Sequence, residues 1–140
     1  MRKYLRTIVM VNASLAAALV ALAGGSPATT EASAMQGVRS GHAVYYSPGV
    51  FNMVARNRGM RMRTDVHGYA AVIDCGMIGR VIKARINGGK LETFQVLDCS
   101  APRDRARHQR IGLVIEVDYD SAVRNGFVRR GRAPAQVYYP

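Results

Sequence analysis

An apolar run that ends in Asp, Cys and a turn occurs twice in this chain. The two copies are Val72-Ile73-Asp74-Cys75-Gly76 and Phe94-Gln95-Val96-Leu97-Asp98-Cys99-Ser100. They hold both cysteines and two of the nine acidic residues. A short apolar run bounded by turn residues reads as a buried strand. Each copy therefore sets an acid and a thiol at the lip of a strand, where a site can be built.

The compartment follows from the other end of the chain. Arg2, Lys3 and Arg6 precede a largely apolar stretch from Thr7 to Ala23, and Ala21-Leu22-Ala23 gives a small-residue exit. This is the layout of a secretory signal peptide. Ala32-Ser33-Ala34 offers a second exit. An uncleaved anchor helix is the alternative, although the run is short for a hydrocarbon core of about 30 Å. Residues 1–23 are thus expected to be a signal peptide, 24–40 a flexible Gly/Ser/Pro/Ala/Thr-rich lead-in, and 41–140 one small domain. A secreted, periplasmic or cell-envelope location follows, with no stable membrane span after cleavage.

Export makes the cysteines readable. Two cysteines in an exported chain most simply form one disulfide, Cys75–Cys99. A reactive thiol pair is the alternative. The spacing is not Cys-x-x-Cys, and nothing in the sequence marks either thiol as activated. The formal charge of the chain is +11; without Arg2, Lys3 and Arg6, 17 basic residues face nine acidic ones. That balance suits an anionic partner, or else solubility alone. Arg far outnumbers Lys, which suits forked contacts to carboxylate or phosphate.

From residue 41 the pattern is mostly β. Strands are predicted at His42–Tyr46, Tyr69–Ile73, Arg80–Ile86, Leu91–Leu97, Leu113–Val117 and Ala135–Tyr139. Asn87-Gly88-Gly89 forms the turn of a central hairpin. Six strands with turn signals at short spacing predict an all-β fold, a closed or nearly closed barrel. One short helix is expected at Ser121–Asn125, capped by Asp120 and ended by Gly126. Val50–Ala55 reads as a second short helix or as extended chain. A basic, mobile loop carrying Arg56, Arg58, Arg61 and Arg63 follows it.

The order of these elements resembles the double-psi β-barrel superfamily, which includes rare lipoprotein A-like wall proteins, barwin and expansins. Gly41-His42-Ala43-Val44-Tyr45-Tyr46 is similar to the family's opening strand. Arg80 to Asp98 is similar to its central hairpin and strand-end acid. Val114-Ile115-Glu116-Val117-Asp118 resembles the strand that leads into its short helix, and Ala133 to Val137 its closing strand. The resemblance implies a cell-wall role, either binding peptidoglycan or another anionic polysaccharide or cutting it as a lytic transglycosylase or endoglucanase-like enzyme does. It also implies Asp98 and Asp118 as the acids of a groove, with Tyr45 and Tyr46 as binding aromatics. The family His has no counterpart in Ala70-Ala71-Val72-Ile73-Asp74, and the chain has no Trp.

The residues themselves leave the chemistry open. Cleavage by two acids needs one carboxyl protonated and one ionised. Asp98 is followed by Arg103, Arg105, Arg107 and Arg110, which favour its ionised form. Asp118 stands near Glu116 and Asp120, and like charges make it the better proton donor. Against this, Asp118 or Asp120 can simply cap the helix, and Asp98 can hold backbone amides or an Arg. The segment Arg103 to Arg110 reads either as a clamp for phosphate or carboxylate or as a solvated loop. The three histidines show no metal-ligand spacing, and no cofactor is implied. Export argues against nucleic acid as the partner. A monomer is expected. A non-catalytic structural module remains the third reading beside binder and enzyme.

Overall fold

The computed structural model describes residues 37–140. The predicted signal peptide and most of the lead-in lie outside the described residues. Six strands close into a barrel: β1 (Gly37–Tyr45), β2 (Gly68–Val72), β3 (Val81–Ile86), β4 (Leu91–Cys99), β5 (Leu113–Val117) and β6 (Ala133–Tyr139). Their order around the barrel is β1-β5-β2-β4-β3-β6. The β1/β5 and β2/β4 neighbours run parallel, and the other four pairs run antiparallel. The class is all-β and the six-strand barrel is closed, as the strand pattern implied. β1 begins four residues before the expected domain start, because Gly37–Ser40 pair with Gln136–Tyr139 of β6.

Alternation along each strand fills the barrel. Ala43, Ala70, Val72, Ile82, Ala84, Ile86, Phe94, Val96, Ile115, Val117 and Val137 form one buried cluster. Burying apolar surface at about 25 cal/mol per Å² is what holds a domain of this size together. Between β3 and β4, Asn87 and Gly88 both adopt positive φ, 53° and 71°. Two left-handed residues in succession match the twist of a two-residue hairpin.

Three α-helices and two single 3-10 turns join the strands. α1 (Val50–Asn57) lies on the outside of the barrel, where Phe51 and Ala55 pack with Ala71 and Leu97. Its following loop is anchored rather than free. The buried Gln95 accepts from the Arg63 amide at 2.8 Å and donates to the Arg61 carbonyl at 3.0 Å. The Tyr69 hydroxyl donates to the Arg63 carbonyl at 2.8 Å. α2 (Pro102–Arg110) occupies the segment that also read as a solvated loop. Pro102 sits in its first turn, where the missing amide costs nothing. Asp104 follows in that turn and Arg107, His108 and Arg110 sit in its last, the charge order that a helix dipole favours. α3 (Tyr119–Arg124) starts two residues earlier than expected, because Asp118 and not Asp120 is its cap.

Candidate functional site

The doubled Asp-Cys motif acquires its meaning from the parallel pairing of β2 and β4. Both strands run to the same end of the barrel, so their trailing turns lie side by side. Cys75 and Cys99 are joined as a disulfide, with Cα atoms 5.0 Å apart. The two aspartates have different surroundings. Asp74 lies beyond β2 and accepts from the Gly76 amide at 2.9 Å, closing the turn that holds Cys75. Asp98 is still within β4, opposite Ala71.

A bulge turns Asp98 outward. The β2/β4 register steps from Ala70↔Val96 to Ala71↔Asp98 and leaves Leu97 as an extra residue. Without the bulge, alternation from the buried Val96 would send Asp98 into the barrel. With it, Asp98 joins a row across the outer face. Ala71 stands opposite Asp98 on one side and opposite Glu116 of β5 on the other, and Glu116 in turn faces Val44 of β1. Two strand spacings place the Asp98 and Glu116 backbones about 10 Å apart. The small Ala71 between them leaves room for both carboxylates.

This row gathers several titratable groups at the barrel surface. The Tyr46 hydroxyl donates to Glu116 Oε2 at 3.2 Å, and the Tyr46 ring meets Phe51 edge-on at 5.2 Å. Arg58, just past α1, donates to Asp98 Oδ1 and forms an ion pair with it. On α2, His108 pairs with the Ser100 hydroxyl at 2.8 Å. Burial pushes the Glu116 carboxyl above the usual carboxylate range; His108 and the Tyr46 hydrogen bond oppose that rise, and Asp98 and Asp104 add to it. Burial, then the Glu116 and Asp98 charges, raise the Tyr46 phenol far above its usual value, so it stays a donor. The arrangement holds a half-buried carboxyl with a raised pKa, a phenol donor and an Arg-paired carboxylate together. Glu116 and His108 were not singled out in the sequence. The only signal for Glu116 is an acid inside an otherwise apolar strand, Leu113–Val117.

Asp118 lies elsewhere. Its Oδ1 accepts from the Ser121 amide at 2.9 Å, and its Oδ2 accepts from the Ser121 hydroxyl at 2.8 Å and the Tyr69 amide at 2.7 Å. Three bonds commit both carboxylate oxygens to holding α3 against the start of β2. Gly68 is the counterpart: a Cβ there would run into Ser121 Oγ and Asp118 Oδ2. Asp118, Tyr119 and Asp120 line an open cavity of about 200 Å³ with Ser47, Met62 and Tyr69. Asp98 does not line it.

The remaining predicted residues divide in the same way. Tyr46 belongs to the Glu116 row. Tyr45 turns the other way, donates to the Val128 carbonyl at 3.1 Å and packs edge-on against Tyr119 and Phe127. On α2, Arg105 faces the barrel and reaches Cys75 Sγ and the Ser100 carbonyl. Arg103, Arg107 and Arg110 are exposed and, at three- and four-residue spacing, share the outer face of the helix. Among the described residues no group of three or more His, Cys, Asp and Glu side chains is placed to hold a metal ion. No described helix is long and apolar enough to cross a membrane.

No protein-family model matches the sequence, and no curated protein matches it. Among solved structures, the chain is similar to apo expansin from Clavibacter michiganensis, with a TM-score of 0.48 and 14% identity. The match covers 74% of this chain and 50% of that one, so this chain spans about half the length of the expansin.

Proposed function

We propose that this chain is an exported cell-envelope protein that binds an anionic polysaccharide such as peptidoglycan. The observation that carries the reading is α2. Nine residues hold four arginines and a histidine, and none of the nine is buried. A helix that packs no apolar side chain contributes little to a core. Three of its guanidiniums point to solvent, and Arg107 and Arg110 have no carboxylate within ion-pair distance among the described residues. Such a ridge suits the repeated carboxylates or phosphates of a wall polymer. The Cys75–Cys99 disulfide fits an oxidising compartment.

Co-sedimentation with purified sacculi tests this reading. Binding at low salt that weakens as salt is added is expected. No binding at low salt contradicts it.

A second reading, glycan cleavage, draws support from Glu116. General acid catalysis needs a carboxyl that keeps its proton near the working pH. Asp118 is committed to three hydrogen bonds, so Glu116 is the better candidate proton donor, with the Arg58-paired Asp98 as its partner. Release of sugar fragments from sacculi that vanishes in Glu116→Gln is the result expected of an enzyme. No release under any condition leaves binding alone.

A further inference from the structure

The Cys75–Cys99 bridge has one sulfur in an electropositive setting. Arg105 Nη2 stands 2.9 Å from Cys75 Sγ, while its Nε donates to the Ser100 carbonyl at 3.3 Å. The second bond pins the guanidinium against the sulfur. Among the described residues no cation is bonded to Cys99 Sγ: its neighbour is Asp98, and Arg58 is engaged with that carboxylate. The other charged or titratable groups nearby include Asp74, which is exposed, holds the Gly76 amide and lines a cavity with Arg39 and Tyr139, and His108, which holds the Ser100 hydroxyl. Both cysteines are half-buried, so a reagent in solution has access.

A guanidinium does little for a neutral disulfide sulfur, but it strongly favours a thiolate. The Arg105 contact therefore stabilises the opened bridge with its charge on Cys75. It also makes Cys75 the better leaving group, since a thiol of lower pKa departs faster. We infer that the bridge is a reducible link, opened by a dithiol reductant that attacks Cys99 while Cys75 leaves as a thiolate beneath Arg105. In the first step a reductant thiolate bonds to Cys99 Sγ, the Cys75–Cys99 bond breaks, and its electron pair stays on Cys75. In the second step the other reductant thiolate attacks its own sulfur in the mixed disulfide. Cys99 is released and takes up a proton. The protein gains two electrons, and the dithiol becomes a disulfide.

The barrel does not depend on the link. β2 and β4 remain paired through backbone bonds from Gly68↔Phe94 to Val72↔Cys99. What changes is α2. Its side-chain moorings are Arg105, on Cys75 and Ser100, and His108, on Ser100. Opening the bridge removes the covalent tie between the Cys75 turn and the root of the helix that carries the basic ridge, and leaves Arg105, paired with the Cys75 thiolate, as the tie that remains. The thiol–disulfide state thus sets how firmly that ridge is held, a property separate from what the ridge binds.

The test uses the full chain equilibrated in mixtures of reduced and oxidised dithiothreitol. Reduced protein is alkylated with iodoacetamide across a pH series, and each cysteine is followed by peptide mass spectrometry. The half-point of Cys75 alkylation is expected about one pH unit below that of Cys99. In Arg105→Gln the gap closes and reduction becomes about tenfold less favourable. Arg105→Lys retains part of both effects, and Arg85→Gln, exposed on β3, leaves both unchanged. Equal half-points in the wild type overturn the inference, as does an Arg105→Gln equilibrium equal to wild type. Circular dichroism of the reduced protein keeps the result interpretable: a retained β signal is expected, and its loss also overturns the inference.

Discussion

At the scale of single residues, two acids that stand two positions apart in sequence behave differently. Asp118 is a structural cap. Replacing it with Ala removes three accepted hydrogen bonds, and a loss of about 2 kcal/mol of unfolding free energy is expected in a denaturant titration. A change within about 0.5 kcal/mol would contradict the capping role. Glu116 works against stability once ionised. Its folded carboxyl titrates above the unfolded one, so between those two values the folded state binds more protons. Stability therefore falls as pH rises through that window, and the loss is complete above the folded value. Glu116→Gln is expected to raise the melting temperature at neutral pH and to give no such gain below the unfolded carboxyl range. An equal shift at both pH values would show that burial of Glu116 is not the cause. The difference between these two acids is not legible in the sequence, for a physical reason. Neighbours along the chain do not report these surroundings: the bonds to Asp118 come from β2 and α3, and Glu116 is covered by Tyr46 and by α2, which packs on β5.

At the scale of elements, most strands were legible because their alternation sets barrel-facing residues against solvent. Ile82, Ala84 and Ile86 of β3 are buried while Lys83 and Arg85 are exposed. The Asn87-Gly88 turn was legible because few residue pairs accept two positive φ angles. The bulge at Leu97 was not. It adds a single apolar residue to an apolar run, leaves no compositional trace, and yet decides which way Asp98 points. α2 was also hard to foresee, because a helix with no apolar face gives no periodic signal. That same composition yields a prediction. Arg107→Gln combined with Arg110→Gln is expected to leave the melting temperature within about 2 °C, since exposed substitutions change stability by less than about 0.5 kcal/mol. A large drop would mean that the two side chains support the fold rather than face a ligand.

For the whole molecule, the barrel and its bridge act together. A domain of about 100 residues is marginally stable. The bridge closes a loop of 24 residues, which the chain-entropy model values at about 3.5 kcal/mol. Replacing both cysteines with Ser is expected to lower unfolding free energy by roughly that amount while leaving a folded barrel, as read by denaturant titration and circular dichroism. The repeated motif opens the way to all of this. Two parallel strands carry two similar turns to one end of the barrel. One turn supplies Asp74 and Cys75 to the link. The other supplies Cys99 to the link, Asp98 to the outer face, and the root of the basic helix.

The central proposal is that α2 meets an anionic wall polymer. The salt dependence of sacculus binding tests it, measured for the wild type and for the Arg107→Gln, Arg110→Gln variant. The account predicts that wild-type affinity falls steeply with salt, and that the variant binds more weakly at low salt and shows a shallower slope. Superimposable curves for the two proteins would contradict it.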